Sequence, residues 1–372
     1  MLKKSMNIID VYAWTKIYGK ILENCLIDNI YSTETYWLFK IRCMNIGKTF
    51  LKIEPGKRIH LSRVEPPSKG IDKLVSFLRK HIRGGRIKGV ELPGWERIIY
   101  IHVTSRNRSY ILVVELIPRG FLVLLDDSNR ILYADRFAEL RDRAIKRGLE
   151  YKLPPGRTEL PKLSKEELVE KLSQGRDLVR GIVKGWGLPG YVAEEILYRA
   201  GLLEKKKEKP SMLTKDEANK LITILHELLA ESIMNKGYIV RQNNVPVLFT
   251  PYRPKLYEEV YVGEIEEFKD FNEAIDAYFA HAEKSLAIER SLSKIRGEIE
   301  KLRKSIEEQQ RIIDKYREEL DKLEKYMEKL TQNFAFVDET INVPRKHGKP
   351  MDGRRFPRCV VKSLVIEKTR ES

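Results

Sequence analysis

The 372-residue sequence predicts an α+β protein of several domains, with an antiparallel β-rich part, a helical module and one long helix. Three observations predict this class. Between residues 26 and 135, short runs of alternating apolar and polar residues are separated by turn residues. From residue 164 the apolar spacing becomes helical. Between residues 288 and 330, apolar residues repeat in heptads, which is typical of a coiled coil.

Residues 1–160 are expected to form the first domain, in which two helices accompany the sheet. Apolar residues at helical spacing predict one helix over 7–25 and another over 70–83, closed by Gly84 and Gly85. Turn residues separate the strand-like runs, which favours antiparallel pairing, and a sandwich of two sheets is one arrangement of them.

Four further segments come after the first domain. Residues 161–210 are expected to be helical, because Ser164 and Glu167 form a capping box and a glycine-rich turn then separates two helices. Residues 211–267 combine a helix with short strands and complete the N-terminal region. Residues 268–342 are expected to form the coiled coil, and residues 343–372 a short basic tail.

The charge of the chain points to a polyanionic partner. The sequence has 70 basic and 54 acidic residues, a net charge of +16. Residues 1–160 carry +13 of this net charge. A concentrated cationic region attracts nucleic acid, whereas the alternative is a soluble enzyme with a high isoelectric point.

Hydropathy and cysteine spacing argue against a membrane protein, a secreted protein, a disulfide-rich protein and a zinc protein. No run approaches the roughly 18 apolar residues that a membrane helix needs, and the N-terminus lacks the apolar core of a secretory signal. The three cysteines, Cys25, Cys43 and Cys359, are widely spaced and form no CxxC pair. We therefore expect neither a disulfide framework nor a zinc site, and a reducing, cytoplasmic location without membrane contact.

No motif for catalysis is found. The six histidines form no HExxH and no metal-spaced pair, and neither GxSxG nor a P-loop occurs. The sequence therefore predicts a binding protein rather than an enzyme, with no cofactor and no metal.

A basic cluster lies at the end of the second predicted helix. Arginine forks and free backbone N–H groups of the adjacent glycine pair can hold phosphates, although a solvated helix face fits equally well. The candidate phosphate-binding residues, including one in the later segment ELIPRG, are Arg79, Lys80, His81, Arg83, Arg86 and Arg119.

A second candidate anion site is the turn GWGLPGYVA, at 185–193. Gly185, Gly187 and Gly190 would leave N–H groups open at a helix N-terminus, where a phosphate binds well. The segment resembles a helix-hairpin-helix turn, but it also fits a tight corner between two helices.

Seven segments together resemble the NFACT family, a family of ribosome quality-control factors that includes RqcH, NEMF and proteins once labelled fibronectin-binding protein A. The resemblance covers about residues 5–340. The segments are NIIDVYAW near the start, SFLRKHIRGGRI at 76–87, GWERII at 94–99, LVVELIPRGFLVLLD at 112–126, RGLEYKLPP at 147–155, GLPGYVAEEILYRAGL at 187–202 and FNEAIDAYF at 271–279.

The resemblance implies a domain plan and a function. Residues 1–160 would be an NFACT-N domain, similar in fold to the N-terminal domain of formamidopyrimidine-DNA glycosylases, followed by a helix-hairpin-helix module and the first arm of a coiled coil. Family members bind the large ribosomal subunit when it carries an obstructed peptidyl-tRNA. They recruit tRNA, commonly alanyl-tRNA, for untemplated addition of residues to the stalled chain. Asp10, Glu96 and Arg97 occupy the places that handle tRNA in the family.

Two departures from the family pattern qualify the expectation. The family has Asp-Arg where this chain has Glu96-Arg97, and the extra methylene lengthens the acidic side chain. The family continues into a second coiled-coil arm and an NFACT-R domain, which we expect this chain to lack. The apolar seam of 288–330 would then contact another helix or a ribosomal protein.

Two other functions remain as alternatives. One is a nucleic-acid-binding scaffold without tailing activity. The other is a DNA glycosylase, suggested by the implied fold alone, which does not give function. Glycosylases of that family begin with proline and glutamate and many carry a cysteine zinc finger, whereas this chain begins Met1, Leu2, Lys3.

Overall fold

The computed structural model describes residues 2–64, 70–155 and 160–334. Within them, nine strands form one antiparallel sheet in the order β4-β3-β2-β1-β5-β6-β7-β8-β9. The strands are β1 (Leu26–Ser32), β2 (Trp37–Cys43), β3 (Gly47–Glu54), β4 (Arg58–Ser62), β5 (Arg86–Glu91), β6 (Ile98–Ser105), β7 (Arg108–Glu115), β8 (Leu122–Leu125) and β9 (Ile131–Ala134). The antiparallel β-rich domain is thus confirmed, as one continuous sheet rather than two separate ones.

The sheet bends so that two distant turns meet. The Gly56 N–H, in the β3–β4 turn, donates to the Glu115 carbonyl oxygen at the end of β7 (2.8 Å). Helices α1 (Ile8–Leu22) and α2 (Lys73–Ile82) pack inside this bend. Their apolar residues, Trp14 and Leu78 among them, share one buried core with the sheet. The apolar faces of the strands therefore pack against the apolar faces of the two helices.

Cys25 and Cys43 are joined by a disulfide, so the expectation of unpaired cysteines is wrong. The register of β1 and β2 pairs Leu26 with Arg42, which sets the two cysteines opposite each other, with Cα atoms 4.3 Å apart. Directly opposite residues in an antiparallel pair are close enough for a disulfide. Their spacing of 18 residues along the chain gives no sign of this contact.

A helical module follows the sheet. A small hairpin of β10 (Ala138–Glu139) and β11 (Ala144–Ile145) leads to α3 (Lys165–Leu172), α4 (Leu178–Gly181), a π-helical turn (Ile182–Trp186) and α5 (Gly190–Arg199). Ser164 caps α3 with the predicted capping box to Glu167. Helix α6 (Lys215–Ser232) packs against α5 and against α1, so the module lies directly on the first helix.

A three-stranded sheet completes the N-terminal region, in the order β13-β12-β14. It is made of β12 (Gly237–Gln242), β13 (Val245–Thr250) and β14 (Glu264–Phe268), with α7 (Lys255–Glu259) between the last two strands. Buried Glu195 of α5 accepts the N–H groups of Lys255 and Leu256 (3.0 Å each). This carboxylate therefore fixes the start of α7 against the helical module.

The predicted long helix is confirmed as α8 (Phe271–Gln332), which lies within the segment 268–342 that we expect to form a coiled coil. Its first turns are buried in the compact unit Met1–Leu286, where the Asn272 side chain bonds both the N–H and the carbonyl of Leu61 (2.6 Å each). The amide thereby pairs with edge strand β4. In the second unit, which begins at Ala287, the apolar heptad residues between Ile288 and Leu330 are 44–65% exposed. The predicted tail, 343–372, lies outside the described residues.

Candidate functional site

Asp10 is part of a polar cluster at the start of α1, called here the α1 cluster: Lys3, Asn7, Asp10, Arg97 and Tyr191. Asn7 is the N-cap of α1 and Asp10 its third residue, and the two form a capping box. Asp10 Oδ2 accepts the Asn7 N–H (2.7 Å) and lies 2.6 Å from Lys3 Nζ. The Asn7 side chain in turn donates to the Tyr191 hydroxyl of α5.

Both charges of the Lys3–Asp10 pair are withdrawn from solvent, with side chains 5% and 0% exposed. Burial raises the pKa of Asp10, and the charges of Lys3 and Arg97 oppose that rise. Burial likewise lowers the pKa of Lys3, whose ammonium also donates to the Phe249 carbonyl (2.6 Å) and lies 3.8 Å from that ring centroid. Asp10 therefore positions its neighbours and does not itself touch solvent.

Glu96 and Arg97 immediately precede β6 and reach the surface. Their side chains are 33% and 23% exposed, and Arg97 Nε lies 3.9 Å from Glu96 Oε1. Arg97 Nη1 donates to the Met6 carbonyl oxygen (3.4 Å), one residue before the N-cap of α1. The charge of Arg97 also opposes the rise that burial causes in the pKa of Asp10, and its partly exposed guanidinium can contact a phosphate or a base.

The predicted basic cluster forms the α2 basic patch: Arg79, Lys80, His81, Arg83 and Arg86. A surface cavity of about 540 Å³ is lined by three of these residues and by Arg106. Arg79 Nε donates to the Ile30 carbonyl (2.8 Å), and His81 stacks on Phe77 with ring centroids 4.2 Å apart. Lys80, Arg83 and Arg86 are exposed, so they are the members of the patch that solvent anions can reach, although Arg86 Nη1 also donates to the Asn24 carbonyl (3.0 Å).

The N–H groups of the glycine pair beside this patch are already bonded, so the suggestion that they are free to hold a phosphate is wrong. The Gly84 N–H donates to Ile27 O (2.8 Å) and the Gly85 N–H to Ile82 O (3.0 Å). Gly84 ends α2 with a positive φ of 77°. A Cβ on Gly85 would lie 2.9 Å from Ser105 Cβ. The pair serves a turn and a close backbone approach.

Arg119 lies apart from the α2 basic patch. It is exposed in the β7–β8 turn, next to Gly56, whereas the patch lies at the end of β5 that pairs with Thr104. Arg97 precedes the first residue of β6 and Thr104 is its seventh. At about 3.3 Å per residue, the α2 basic patch and Arg97 are therefore roughly 23 Å apart along β6, with Arg119 towards the Arg97 end.

The three glycines of the helical module serve different purposes. A Cβ on Gly185 would lie 2.1 Å from Lys171 O, so this glycine permits close helix packing. Gly187 ends the π-helical turn with a positive φ of 73°. Gly190 begins α5 and has open space around its Cβ position. Of the three, only Gly190 therefore lies at a helix N-terminus, where a backbone N–H can meet an anion.

A groove between α1 and β5, called here the α1–β5 groove, was missed in the sequence. Its volume is about 600 Å³. Tyr12, Lys16 and Lys20 line one wall, and Lys88 with Gly89 lines the other. A signal was present, since residues 12, 16 and 20 share one helix face, but the facing strand could not be identified from spacing.

Neither a metal cluster nor a membrane span is present among residues 2–64, 70–155 and 160–334. These residues contain no group of three or more His, Cys, Asp or Glu side chains that could hold a metal ion. No helix among them is both long enough and apolar enough to span a membrane.

Several curated proteins are similar to this chain. The archaeal Rqc2 homolog aRqcH of Methanocaldococcus jannaschii is 27% identical over 92% of the chain and 52% of its own length. The Rqc2 homolog RqcH of Bacillus subtilis is 29% identical over 66% of the chain and 44% of its own. Human ribosome quality control complex subunit NEMF is 24% identical over 76% of the chain and 28% of its own length. The chain thus spans about half, or less, of these relatives.

Solved structures share the fold. The fibrinogen binding protein from Staphylococcus aureus has a TM-score of 0.59 at 16% identity, covering 74% of this chain and 99% of that one. The N-terminal part of the fibronectin/fibrinogen-binding protein from Streptococcus suis has a TM-score of 0.56 at 18% identity, with the same coverage. The family described as NFACT N-terminal and middle domains matches residues 12–350. This chain therefore belongs to the NFACT family.

Proposed function

We propose that this chain is a ribosome quality-control factor that binds tRNA through its N-terminal unit. The observation that carries the proposal is the concentration of positive charge in residues 1–160, +13 of the net +16. It includes exposed Lys80, Arg83 and Arg86 at one end of the sheet and Arg97 at the other. Membership of a family whose curated relatives are named for ribosome quality control supports the same function.

The finer steps of the function rest on the family resemblance. The chain would act in the cytoplasm on a large ribosomal subunit that holds an obstructed peptidyl-tRNA. It would recruit tRNA, alanyl-tRNA among the candidates, for untemplated extension of the stalled chain. It acts here as a binding factor, and the peptide bond would form on the ribosome.

We propose different tasks for the three tRNA-handling candidates, and their different burial supports this division. Arg97 and Glu96 reach the surface and contact RNA, whereas buried Asp10 holds Lys3 and the start of α1 in place. The long side chain and planar fork of an arginine suit a phosphate or a guanine edge, and Glu96 orients it from 3.9 Å. The α2 basic patch and Arg119 would contact phosphates farther along the same RNA.

The exposed heptads of 288–330 supply a second contact. Their side chains are 44–65% exposed among the described residues and form an apolar seam on α8, and such a seam is stabilised by a facing helix. We propose that the seam contacts either another coiled-coil helix or a ribosomal protein. A scaffold without tailing activity would use the same seam, so the two functions differ in whether tRNA is recruited.

The tRNA part is tested by the affinity of the chain for tRNA at several salt concentrations. Log affinity should fall linearly with log salt, because bound counterions are released. Arg97→Ala should weaken binding about tenfold or more without lowering the melting temperature. Arg241→Ala is the matched control, since Arg241 is 29% exposed and also pairs with a glutamate, Glu266. Salt-independent binding, or an equal loss in both variants, would contradict the proposal.

The ribosome part is tested by co-sedimentation with isolated large subunits, followed by sequencing of the tRNA that travels with them. Enrichment of one tRNA species supports recruitment. Sedimentation without tRNA would support the scaffold instead. Failure to sediment with subunits would remove the ribosomal function and leave RNA binding alone.

A further inference from the structure

The α1–β5 groove has the shape and charge of a site for single-stranded RNA. We propose that it binds unpaired nucleotides, with phosphates on Lys16, Lys20 and Lys88 and a base stacked against Tyr12. The proposal rests on the RNA-binding part of the proposed function and adds a site that lies outside the residues argued there.

The positive charge of the groove comes from α1 and β5, which face each other, and from Lys162, which lies in the turn before α3. Lys16 and Lys20 are exposed on successive turns of α1, about 6 Å apart along the helix axis. Lys88 faces them from β5, where its Nζ donates to Asn24 Oδ1 (3.3 Å). Two carboxylates also line the groove, Glu23 and Glu91, and the latter lies 2.9 Å from His102 Nε2. The lysines therefore set the sign of the charge between the two walls.

The base of the groove is kept open by glycine. Gly19 lets α1 approach β5 closely, because a Cβ there would lie 3.0 Å from the Val90 carbonyl oxygen. Gly89 and Gly94 also line the groove, and a Cβ on either would meet no atom within 4 Å. The volume of about 600 Å³ lies within the 300–1,000 Å³ common for ligand sites. A nucleotide can therefore enter without movement of the backbone.

An aromatic surface stands beside the lysines. Tyr12 is half-buried, with its ring centroid 5.7 Å from that of Trp95 and 5.9 Å from Lys16 Nζ. These contacts hold the ring in place before a ligand arrives. An aromatic face next to a cationic track is the arrangement by which single strands are bound without sequence preference. An acidic peptide would use the lysines but has no comparable use for the ring.

The decisive variant fills the groove without touching its charge. Gly89→Leu in the whole chain places a side chain in open space, at a residue whose φ is not positive. We expect at least a tenfold loss of affinity for a labelled single-stranded hexauridylate and an unchanged melting temperature. Gly297→Leu is the matched control, because its Cβ position on α8 is also open. Equal affinity of Gly89→Leu and the unchanged chain would overturn the proposal.

Two further variants separate the contribution of charge to RNA binding from the contribution of base stacking. Each phosphate contact to a single strand contributes about 0.7 to the slope of log affinity against log salt, so Lys16→Gln, Lys20→Gln and Lys88→Gln together should reduce it by about 2. As the matched control, replacing Lys301, Lys304 and Lys315 of α8 by glutamine should leave the slope of log affinity against log salt unaltered. Tyr12→Leu should weaken hexauridylate binding about tenfold, since base stacking is lost.

The outcomes distinguish this site from the proposed function. Binding of tRNA without any binding of hexauridylate leaves the function standing and overturns the groove. The groove would also be overturned if it were only a charged surface. In that case hexaglutamate would compete as strongly as unlabelled hexauridylate, and Tyr12→Leu would bind hexauridylate with unchanged affinity. Hexauridylate binding that is lost in Gly89→Leu but kept in Arg97→Ala supports the groove, whatever becomes of tRNA recruitment.

Discussion

Single residues in this chain have roles that their sequence neighbours do not reveal. Asp10 resembles a family residue that handles tRNA, yet its carboxylate is fully buried against Lys3. His60, which no motif included, is fully buried and faces Asp276 of α8 through Nε2 (3.2 Å). In both cases burial decides the chemistry, because a charge in a low-dielectric interior depends on its immediate partners.

Replacing Asp10 should destabilise the fold. Asp10→Ala removes the partner of a buried ammonium and one half of the capping box, and such a loss costs about 3–5 kcal/mol of the free energy of unfolding. Urea denaturation monitored by circular dichroism measures this change. The double variant Lys3→Met with Asp10→Asn should regain much of the loss. A stable Asp10→Ala protein with lost tRNA binding would instead make Asp10 a direct RNA contact.

Acidification should weaken the attachment of α8 through His60. Burial, together with the charges of Arg58 and Lys52, lowers the pKa of His60 to about 4, although Asp276 opposes this. Between pH 6.5 and 4 the unfolded chain therefore binds a proton that the folded chain does not. The free energy of unfolding should fall by up to roughly 3 kcal/mol as pH decreases through this window.

The measurement is urea denaturation at a series of pH values. His60→Gln removes the titrating group and keeps an amide that can donate to Asp276, so its stability should vary much less between pH 6.5 and 4. The carboxylates of Asp276 and Glu283 have a lowered pKa, so their contribution to stability is lost mainly below about pH 4.5, at the lower end of this window and beyond it. A variant as pH-dependent as the unchanged chain would contradict the assignment to His60.

At the scale of elements, close approach of backbones explains several glycines that the sequence suggested for anion binding. Gly185 lies against α3, and Gly85 lies against β6. The N–H groups of the Gly84–Gly85 pair are already bonded. Glycine is needed at such places because any Cβ would displace the neighbouring chain. Spacing between helices predicted the turn correctly but could not separate packing from ligand binding.

The helical module should respond differently to two alanine substitutions. Gly185→Ala places a methyl group 2.1 Å from Lys171 O, so α3 and the π-helical turn must separate, at a cost of about 3 kcal/mol. Gly190→Ala has open space and should be neutral or stabilise by about 0.5 kcal/mol. Thermal unfolding compares the two. Equal effects of both substitutions would contradict the packing role of Gly185.

At the scale of the whole molecule, the chain divides into the compact unit Met1–Leu286 and a second unit that begins at Ala287, within α8. The helix is attached to the first unit by buried residues, including Phe279, and by Glu283, which pairs with Lys52 (2.9 Å) and Arg58. Charge on the first unit and an apolar seam on the second suit two different kinds of partner.

Substitutions in the seam should therefore leave the first unit intact. Leu302→Gln with Ile306→Gln changes side chains that are 64% and 63% exposed, so the melting temperature of the first unit should not shift measurably. Co-sedimentation with large subunits should fall severalfold. Lys304→Gln with Arg311→Gln, at positions outside the apolar seam, is the matched control. A lower melting temperature would show that the seam packs on the first unit.

The sequence by itself determined the elements with strong local patterns. Helices α1, α2 and α8, the capping box at Ser164, the antiparallel strands and the uneven charge all follow from residues near one another in the chain. Family membership also follows, since the segments that carry it are local. These features are readable because periodicity, capping and turn chemistry act within a few residues.

Only the tertiary structure decided which distant residues meet. Strand register set Cys25 opposite Cys43, and the length of β6 separated Arg97 from the α2 basic patch. Packing of α5 and β13 around Lys3 and Asp10 buried a residue that the sequence placed in a binding site. The α1–β5 groove exists because Gly19 lets a helix approach a strand that is distant in the sequence. Such contacts depend on long-range packing, which local spacing does not encode.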